Sequence, residues 1–368
     1  MRKLSTRAAA PDRRLSRFQQ YVPLSGVMPT VQNTGIPLGL SVPTTQYGYF
    51  GEGLTDSRPI ETLVAATTTT VPGMSVPDAN NTVYLPNTAT NQVYDHIDFT
   101  NFEVVVGANA LSVTFTKCKF GTTNDAWSLT RAQGAHLFQN LGANTAVTFQ
   151  DCSLDGSTPN VNYACQNMVS NPSGNTSAGG VTFLRNNIRG FSTLTSVGPY
   201  TNFLIADNYC HDPVIDKHND VTPYTNSGVW AHVDGFQIGA VNALGTGIVR
   251  NNTLLAYSAA VRTATGPLQV GQMAGPAPAT ITSFVFTGNW CDGGGYICGA
   301  NLGTAIVIAN GGKFEFTNNK IGLGYQYGID SGGTIHSIAT LWSGNTYVKT
   351  GMAGLNTPVA VTAGQVIP

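Results

Sequence analysis

Charge is what this chain has least of. Asp, Glu, Lys and Arg together make up 10% of its 368 residues, against about 25% in ordinary soluble domains. That excludes a charged coiled coil and a highly charged disordered chain. Cysteine is scarce too. The six, Cys118, Cys152, Cys165, Cys210, Cys291 and Cys298, are too sparse for a disulfide-built scaffold, and without a Cys-x-x-Cys pair a Cys-rich zinc site is not expected. Free thiols buried as small apolar groups are the expectation, although Cys291 and Cys298 are close enough in sequence to meet across a turn. No stretch of about 18 apolar residues occurs, so no transmembrane helix is expected. Gly-x-Ser-x-Gly is absent, which leaves serine-type catalysis without support. Helical stretches of the kind that separate strands in doubly wound α/β sheets are missing as well.

Glycine, by contrast, is abundant: 42 residues, about 11% against a usual ~7%. The hydrophobic share of 42% leaves ample material for a core. Together these favour an all-β protein with many turns. The net charge of −1 hides an asymmetry. Residues 1–18 hold six bases (Arg2, Lys3, Arg7, Arg13, Arg14, Arg17) and one acid, Asp12. Such a basic arm suits either an acidic partner or a solvated tail. No basic stripe follows, so nucleic acid is not an expected partner. No apolar stretch follows Arg13-Arg14, so no signal peptide is expected, and the product is read as made in the cytoplasm and carried elsewhere by other means.

An eight-position pattern recurs: bulky, any, bulky, any, any, Asn or Cys, any, bulky. It first reads Val113-Thr114-Phe115-Thr116-Lys117-Cys118-Lys119-Phe120. It returns with Cys152, Asn186, Asn208, Asn252, Asn289, Asn319 and Asn345 in the sixth slot. The steps between these slots are 34, 34, 22, 44, 37, 30 and 26 residues. A constant motif at an irregular step is the mark of a coil whose turns are repeats and whose extra residues leave as loops. Period-two alternation makes each motif a strand with one face inward. The Asn/Cys slot falls at a corner, where an inward amide bonds to backbone groups freed by the bend and to the next amide in the column. Glycine shortly afterwards (Gly121, Gly156) is expected to supply positive φ for the turn.

The predicted fold is therefore all-β: a right-handed parallel β-helix, or solenoid, over residues 91–350, with strands stacked at about 4.8 Å. Right-handedness follows from the rule for parallel crossovers. The rival sandwich or jelly roll would show turn signals about every 8–12 residues, not a recurring corner. Before the coil, Pro and Thr are frequent. Residues 1–45 read as an extended basic, Pro-rich attachment arm, and residues 46–90 as short strands capping the coil. Residues 351–368 read as a cap at the other end.

The corner motif, Asn33-Thr34-Gly35-Ile36-Pro37, His232-Val233-Asp234-Gly235-Phe236-Gln237-Ile238 and Gly288-Asn289-Trp290-Cys291-Asp292-Gly293-Gly294-Gly295 together resemble the right-handed parallel β-helix, or pectate-lyase-like, superfamily. Within it the likeness is to proteins of actinobacteria and of the tails of their phages, over about residues 33–350. The resemblance implies a virion component of the minor tail protein or tailspike type, a homotrimer mounted on other tail or baseplate proteins through its N-terminal arm. It implies contact with a host surface polysaccharide and no insertion into a membrane. The superfamily also holds pectin and rhamnogalacturonan enzymes, alginate epimerases and inactive binding proteins, so fold leaves activity open.

Chemistry is concentrated in residues 207–234. These hold five of the 19 acids (Asp207, Asp212, Asp216, Asp220, Asp234) and three of the six His (His211, His218, His232). Scatter would give about 1.4 and 0.5. The cluster falls in the longest step of the repeat, where a loop on a rigid scaffold has room for a site. Tyr209, Tyr224 and Trp230 lie in the same stretch, and flat aromatic faces beside carboxylates suit sugars. Asp212 and Asp234, with His232, are the candidate catalytic groups. Tyr209, His211, Asp216, His218, Asp220, Tyr224, Trp230 and Gln237 are the candidate glycan-binding groups. Three readings of His232 and Asp234 stay open: a buried His–Asp bond pinning the loop, a polar groove, or catalysis. A bulge at Gly235 would bring both to the surface.

Glycoside hydrolysis requires two carboxylates roughly 5–9.5 Å apart. Lyase chemistry requires a base and a charge neutraliser, Ca²⁺ or a cation such as Lys217, Arg250 or Arg262. Zinc on His211, His218, Asp220 and His232 is conceivable, but the spacing is not a tight one. No cofactor is expected beyond a divalent cation such as Ca²⁺. Tyr296, Tyr325 and Tyr327, on Gly-rich loops, are a weaker feature: either loop packing or glycan contact. The functional expectation is a tail component that contacts polysaccharide. The alternatives are a polysaccharide-degrading hydrolase or lyase, and a purely structural virion protein.

Overall fold

The computed structural model describes residues 24, 26–44, 50–123, 136–142, 144–157, 165–170, 179–193, 202–213, 234–238, 243–256, 266–270, 279–300, 306–331 and 334–368. Nearly all of its regular structure is strand. Sheet I has ten strands, from Val64–Ala65 to Thr346–Tyr347. Sheet II has nine, from Thr82–Tyr84 to Gly328–Asp330, and sheet III nine, from Gln92–Asp95 to Leu341–Ser343. Each sheet takes every third strand, so the chain visits I, II and III in rotation, and paired strands within these sheets run parallel. Among the described residues the only helix is Thr334–Ile338, and no helix is long and apolar enough to cross a membrane.

Sheets stacked in register place equivalent residues one above another. Tyr94, Phe115, Phe149 and Phe183 form a column of stacked rings with centroids 5.4, 5.2 and 5.1 Å apart. Phe286, Phe316 and Trp342 continue the theme at 4.9 and 4.5 Å. Each buried ring contributes about 2–3 kcal/mol by burial, and stacking adds to it.

The passage from sheet III to sheet I is identical on eight turns. Two residues separate the strands: 117–118, 151–152, 185–186, 207–208, 251–252, 288–289, 318–319 and 344–345. The first of each pair is left-handed, at Lys117, Asp151, Arg185, Asp207, Asn251, Gly288, Asn318 and Gly344, with φ between 49° and 66°. This corrects the expectation that Gly121 and Gly156 make the turn: neither has positive φ. The bend is made before the inward residue. Asp and Asn tolerate this conformation best of the non-glycine residues.

The second residue of each pair points inward, and the eight form one column. The Asn208 side-chain oxygen accepts from the Asn186 backbone N–H and Nδ2, both at 2.9 Å. Asn252 accepts likewise from Asn208, Asn289 from Asn252, Asn319 from Asn289 and Asn345 from Asn319, at 2.9–3.1 Å. Each amide also donates to a carbonyl of the preceding turn, as Asn252 does to Ile205 at 3.0 Å. The Cys152 backbone N–H donates to Asn186 at 2.8 Å, and that of Cys118 to the Cys152 sulfur at 3.4 Å. All eight side chains are fully buried.

The N-terminal boundaries differ from those expected. Val64–Ala65 pairs with Ile97–Asp98, and Thr82–Tyr84 with Glu103–Val106, so residues 64–90 supply part of the first turn rather than a separate cap. Residues 24–44, expected to lie in a free arm, are packed on the outer face of sheet I. This strap runs down the corner column. Asn251 donates to Val27 O at 3.2 Å and Thr253 to Pro29 O at 2.7 Å, while Gly35 N–H donates to Arg185 O at 2.7 Å. It then doubles back as a hairpin, with Val42 N–H to Leu54 O and Asp56 N–H to Leu40 O. Arg58 staples it, bonding both oxygens of buried Asp56 and the carbonyls of Thr34 and Val31. Val31, Val42, Phe50, Tyr209 and Leu255 make a small apolar cluster beneath it. Apolar side chains in the strap explain the packing: a free arm would expose Val31, Ile36 and Val42, all buried here.

At the other end, Gly351–Ala353 and Val359–Val361 form an antiparallel hairpin. Residues 365–367 then bond back to the last turn through Tyr347 and Asn345.

Candidate functional site

Unlike the two-residue corner, the passage from sheet I to sheet II varies widely. It spans 122–135, 156–164, 190, 212–233, 257–265, 294–295 and 322–327 on successive turns. The strand ends that bear these connections lie one above another, because the strands are in register. The acid- and His-rich segment is the longest of them.

Its first residues are the sheet I strand Tyr209–His211. Alternation puts Tyr209 and His211 on the outer face and Cys210 inside. Tyr209, expected to face a glycan, is instead buried under the strap: its hydroxyl donates to Phe50 O at 3.2 Å. A side chain at Gly51 would collide with that hydroxyl. Its ring stacks on His211 at 4.2 Å, and burial pushes its hydroxyl well above the usual tyrosine range. His211 is buried too, so neither ring is open to a sugar in this arrangement. The strap was not legible in the pattern of residues 207–234 and is the cause of the burial of Tyr209.

His211 bridges two partners. Its Nδ1 lies 2.8 Å from Asp212 Oδ2 and its Nε2 lies 2.8 Å from Asn187 Oδ1. Asp212 holds a left-handed φ of 48°, and its side chain is 36% exposed. Burial pushes its carboxyl up, but His211, by charge and hydrogen bond, and Arg189 beyond it reverse the sign and hold it below the usual range. Asp207 is the left-handed first residue of its corner and faces the strap, bonded to Asn251 Nδ2 at 2.5 Å and Leu24 N–H at 3.3 Å. Burial raises its carboxyl.

Asp234 opens the sheet II strand Asp234–Ile238, which also carries Gln237. The register is unbroken across Gly235: Asp234 pairs with Gly266 and Phe236 with Leu268. The bulge considered at Gly235 is not present. Gly190 N–H donates to Asp212 O at 3.1 Å, and Thr193 pairs with Asp234. Both feet of the 213–233 connection thus stand beside residues only three apart on the preceding turn, a span of at most roughly 10 Å. Asp216, His218, Asp220, Tyr224, Trp230 and His232 lie outside the described residues, as do Lys217 and Arg262.

Of the later tyrosines, Tyr325 is buried with its hydroxyl 3.1 Å from that of Tyr347. Tyr296 and Tyr327 lie on adjacent turns with ring centroids 5.6 Å apart, and Tyr327 is 50% exposed. Three polar residues were not singled out from the sequence. Asp292 is fully buried on sheet I, where its Oδ1 accepts from Gly293 and Gly324 N–H at 2.8 and 2.7 Å. Arg189 and Asp155 pair on adjacent turns at 2.7 Å. The register of the corner motif places Arg189 over Asp155, each three residues beyond its corner residue, so the sequence held that signal. No signal of that kind marks Asp292. Among the described residues, no group of three or more His, Cys, Asp or Glu is placed to hold a metal.

Comparison of the chain with protein-family models, with curated proteins and with solved structures returned no match.

Proposed function

We propose that the three sheets are the faces of a right-handed parallel β-helix, and that this rod is a phage tail component whose loop-bearing edge contacts a host surface polysaccharide. The observation that carries the reading is the stacking of variable connections at one edge, opposite in character to the invariant corner. An array repeating at the strand spacing of about 4.8 Å presents binding groups in a line, which suits an extended polymer more than a compact ligand. Virion mounting and homotrimeric assembly come from the superfamily resemblance. Packing of residues 24–44 on the coil narrows the mounting segment to residues 1–23. No cofactor is part of the reading.

The feet of the 213–233 connection favour a second reading, hydrolysis. Asp212 and Asp234 bracket that connection in the chain, and hydrolysis requires a pair of carboxylates. Both readings are tested with purified chain and cell-wall polysaccharide from an actinobacterium. Cosedimentation with release of reducing ends, abolished in Asp234→Asn, supports the hydrolase. Cosedimentation without release supports the binding component. Neither binding nor release refutes both.

A further inference from the structure

We infer that the outer face of sheet III is where a second copy of this chain docks, the two packed side by side along their length. The inference supplies a contact surface for the assembly proposed above and is independent of the glycan. Outward side chains of sheet III stand in register, one per turn in each column. The central column opens with Val93 and continues as threonine on the turns of Cys118, Cys152 and Asn186. Leu204, Ile248 and Val285 follow, and it closes with Leu341. Glu315 is its one charge. Val93 and Leu341 are 53% and 45% exposed and every member between them is partly exposed, so the column is open from end to end.

Sheet I shows that so few charges are not the rule for this molecule. Its outer face carries one on turn after turn, at Asp98, Lys119, Asp155, Arg189 and Lys320, and the strap covers part of it. Depletion of charge at the centre of a patch is the compositional mark of a protein interface, whereas strands that face water take polar and charged residues. Pitch and charge name the occupant. A partner that meets nine turns at once must itself repeat at the strand spacing of about 4.8 Å, and this chain does. The columns beside the central one add Asp95, Arg250 and Lys313 to Glu315, two charges of each sign. Lys313 and Glu315 already face each other at 3.6 Å. The face therefore carries no net charge with which to repel its own copy. Eight spacings of about 4.8 Å by roughly 20 Å of width give roughly 750 Å². That is close to the ~800 Å² each partner buries in a stable complex. A patch that meets its own copy is also the commonest route to a symmetric oligomer.

The test is light scattering on the full chain over a dilution series, in wild type and in Leu204→Lys, Ile248→Lys and Thr148→Lys. Ile60→Lys is the control, since Ile60 is exposed beside Gly39 of the strap and off sheet III. Wild type is expected at the mass of two or more chains at micromolar concentration. Each lysine in the column is expected to raise the dissociation constant about tenfold or more, because two copies then bring like charges together. Ile60→Lys should leave it unchanged. Thr148 is a partly exposed threonine on the outer face, so its variant keeps the fold if a lysine at Leu204 does not. A monomer at about 100 µM overturns the inference together with the assembly of the earlier reading. An oligomer whose dissociation constant ignores all three column variants overturns the inference alone and leaves that assembly to another face. Column variants that keep the wild-type mass but lose cosedimentation with polysaccharide assign the face to the glycan and overturn it as well.

Discussion

One amide in the corner column holds several backbone and side-chain groups at once. Asn252 accepts two bonds from Asn208 and donates to Ile205 O and Arg250 O. Asn252→Ala leaves these groups buried without partners, and a loss of about 3 kcal/mol is expected in denaturant unfolding. Asn252→Cys is expected to cost less, because Cys118 and Cys152 occupy the same slot in the same column. A smaller loss for alanine than for cysteine would contradict the column's role. Asp292 sets a pH dependence. Burial pushes its carboxyl up to about 6, against the pull of Gly324 and Gly293 N–H and of Lys349, while Glu52 adds to the rise. The folded chain therefore holds this proton more tightly than the unfolded chain, where an Asp titrates near 3.8. Stability is greatest with the group protonated and falls as pH rises from about 4 through 6, by on the order of 2–3 kcal/mol. Thermal unfolding is expected at a higher temperature at pH 5 than at pH 7.5, with the difference largely lost in Asp292→Asn. A difference undiminished in that variant would assign the dependence elsewhere.

Among the elements, the strap is held differently from the sheets it covers. Phe50 packs edge-on against Trp290 at 5.5 Å and accepts the Tyr209 hydroxyl bond through its carbonyl. Removing the ring in Phe50→Ala is expected to loosen the hairpin and leave the coil standing. Hydrogen exchange checks this: the Val42, Gly53 and Asp56 amides should speed up while those of Asn208 and Asn252 keep their protection. Uniform loss of protection would show that strap and coil unfold as one unit. The contrast also explains what the sequence disclosed. The corner column was legible because one pattern returns eight times, and each copy reports on the others. The strap was not, because its bonds join residues such as Ile36 to Ser153 and Phe50 to Tyr209, each pair met once and far apart in the chain. Tyr209 was read as exposed for that reason. The turn geometry was missed because left-handed Lys117 and Arg185 break the usual preference, steadied by ion pairs with Glu61 and Asp151.

At the scale of the whole molecule, the three sheets and the connections between them carry separate loads. The turn of Asn186 passes from sheet I to sheet II through Gly190 alone, while the next turn uses 212–233. Replacing 213–233 with a short Gly-Ser link is expected to leave unfolding within a few degrees of wild type, since closing a shorter loop costs little. It should abolish polysaccharide binding. A large fall in melting temperature would show that the connection supports the coil. Deleting residues 1–23 is expected to give a folded chain with glycan binding intact that fails to enter virions. Incorporation of the truncated chain would remove the mounting role.

Eight of the nine corners keep a two-residue length, against connections that range from one residue to more than twenty, which divides the chain into a part that hardly varies in length and a part that varies widely. Lengthening a corner by one residue would flip every following side chain of its strand and take an amide out of the column. Lengthening a connection disturbs only its own edge. Variation in what the protein meets can therefore accumulate turn by turn, each loop exchanged independently, on a spine that never has to refold around the change.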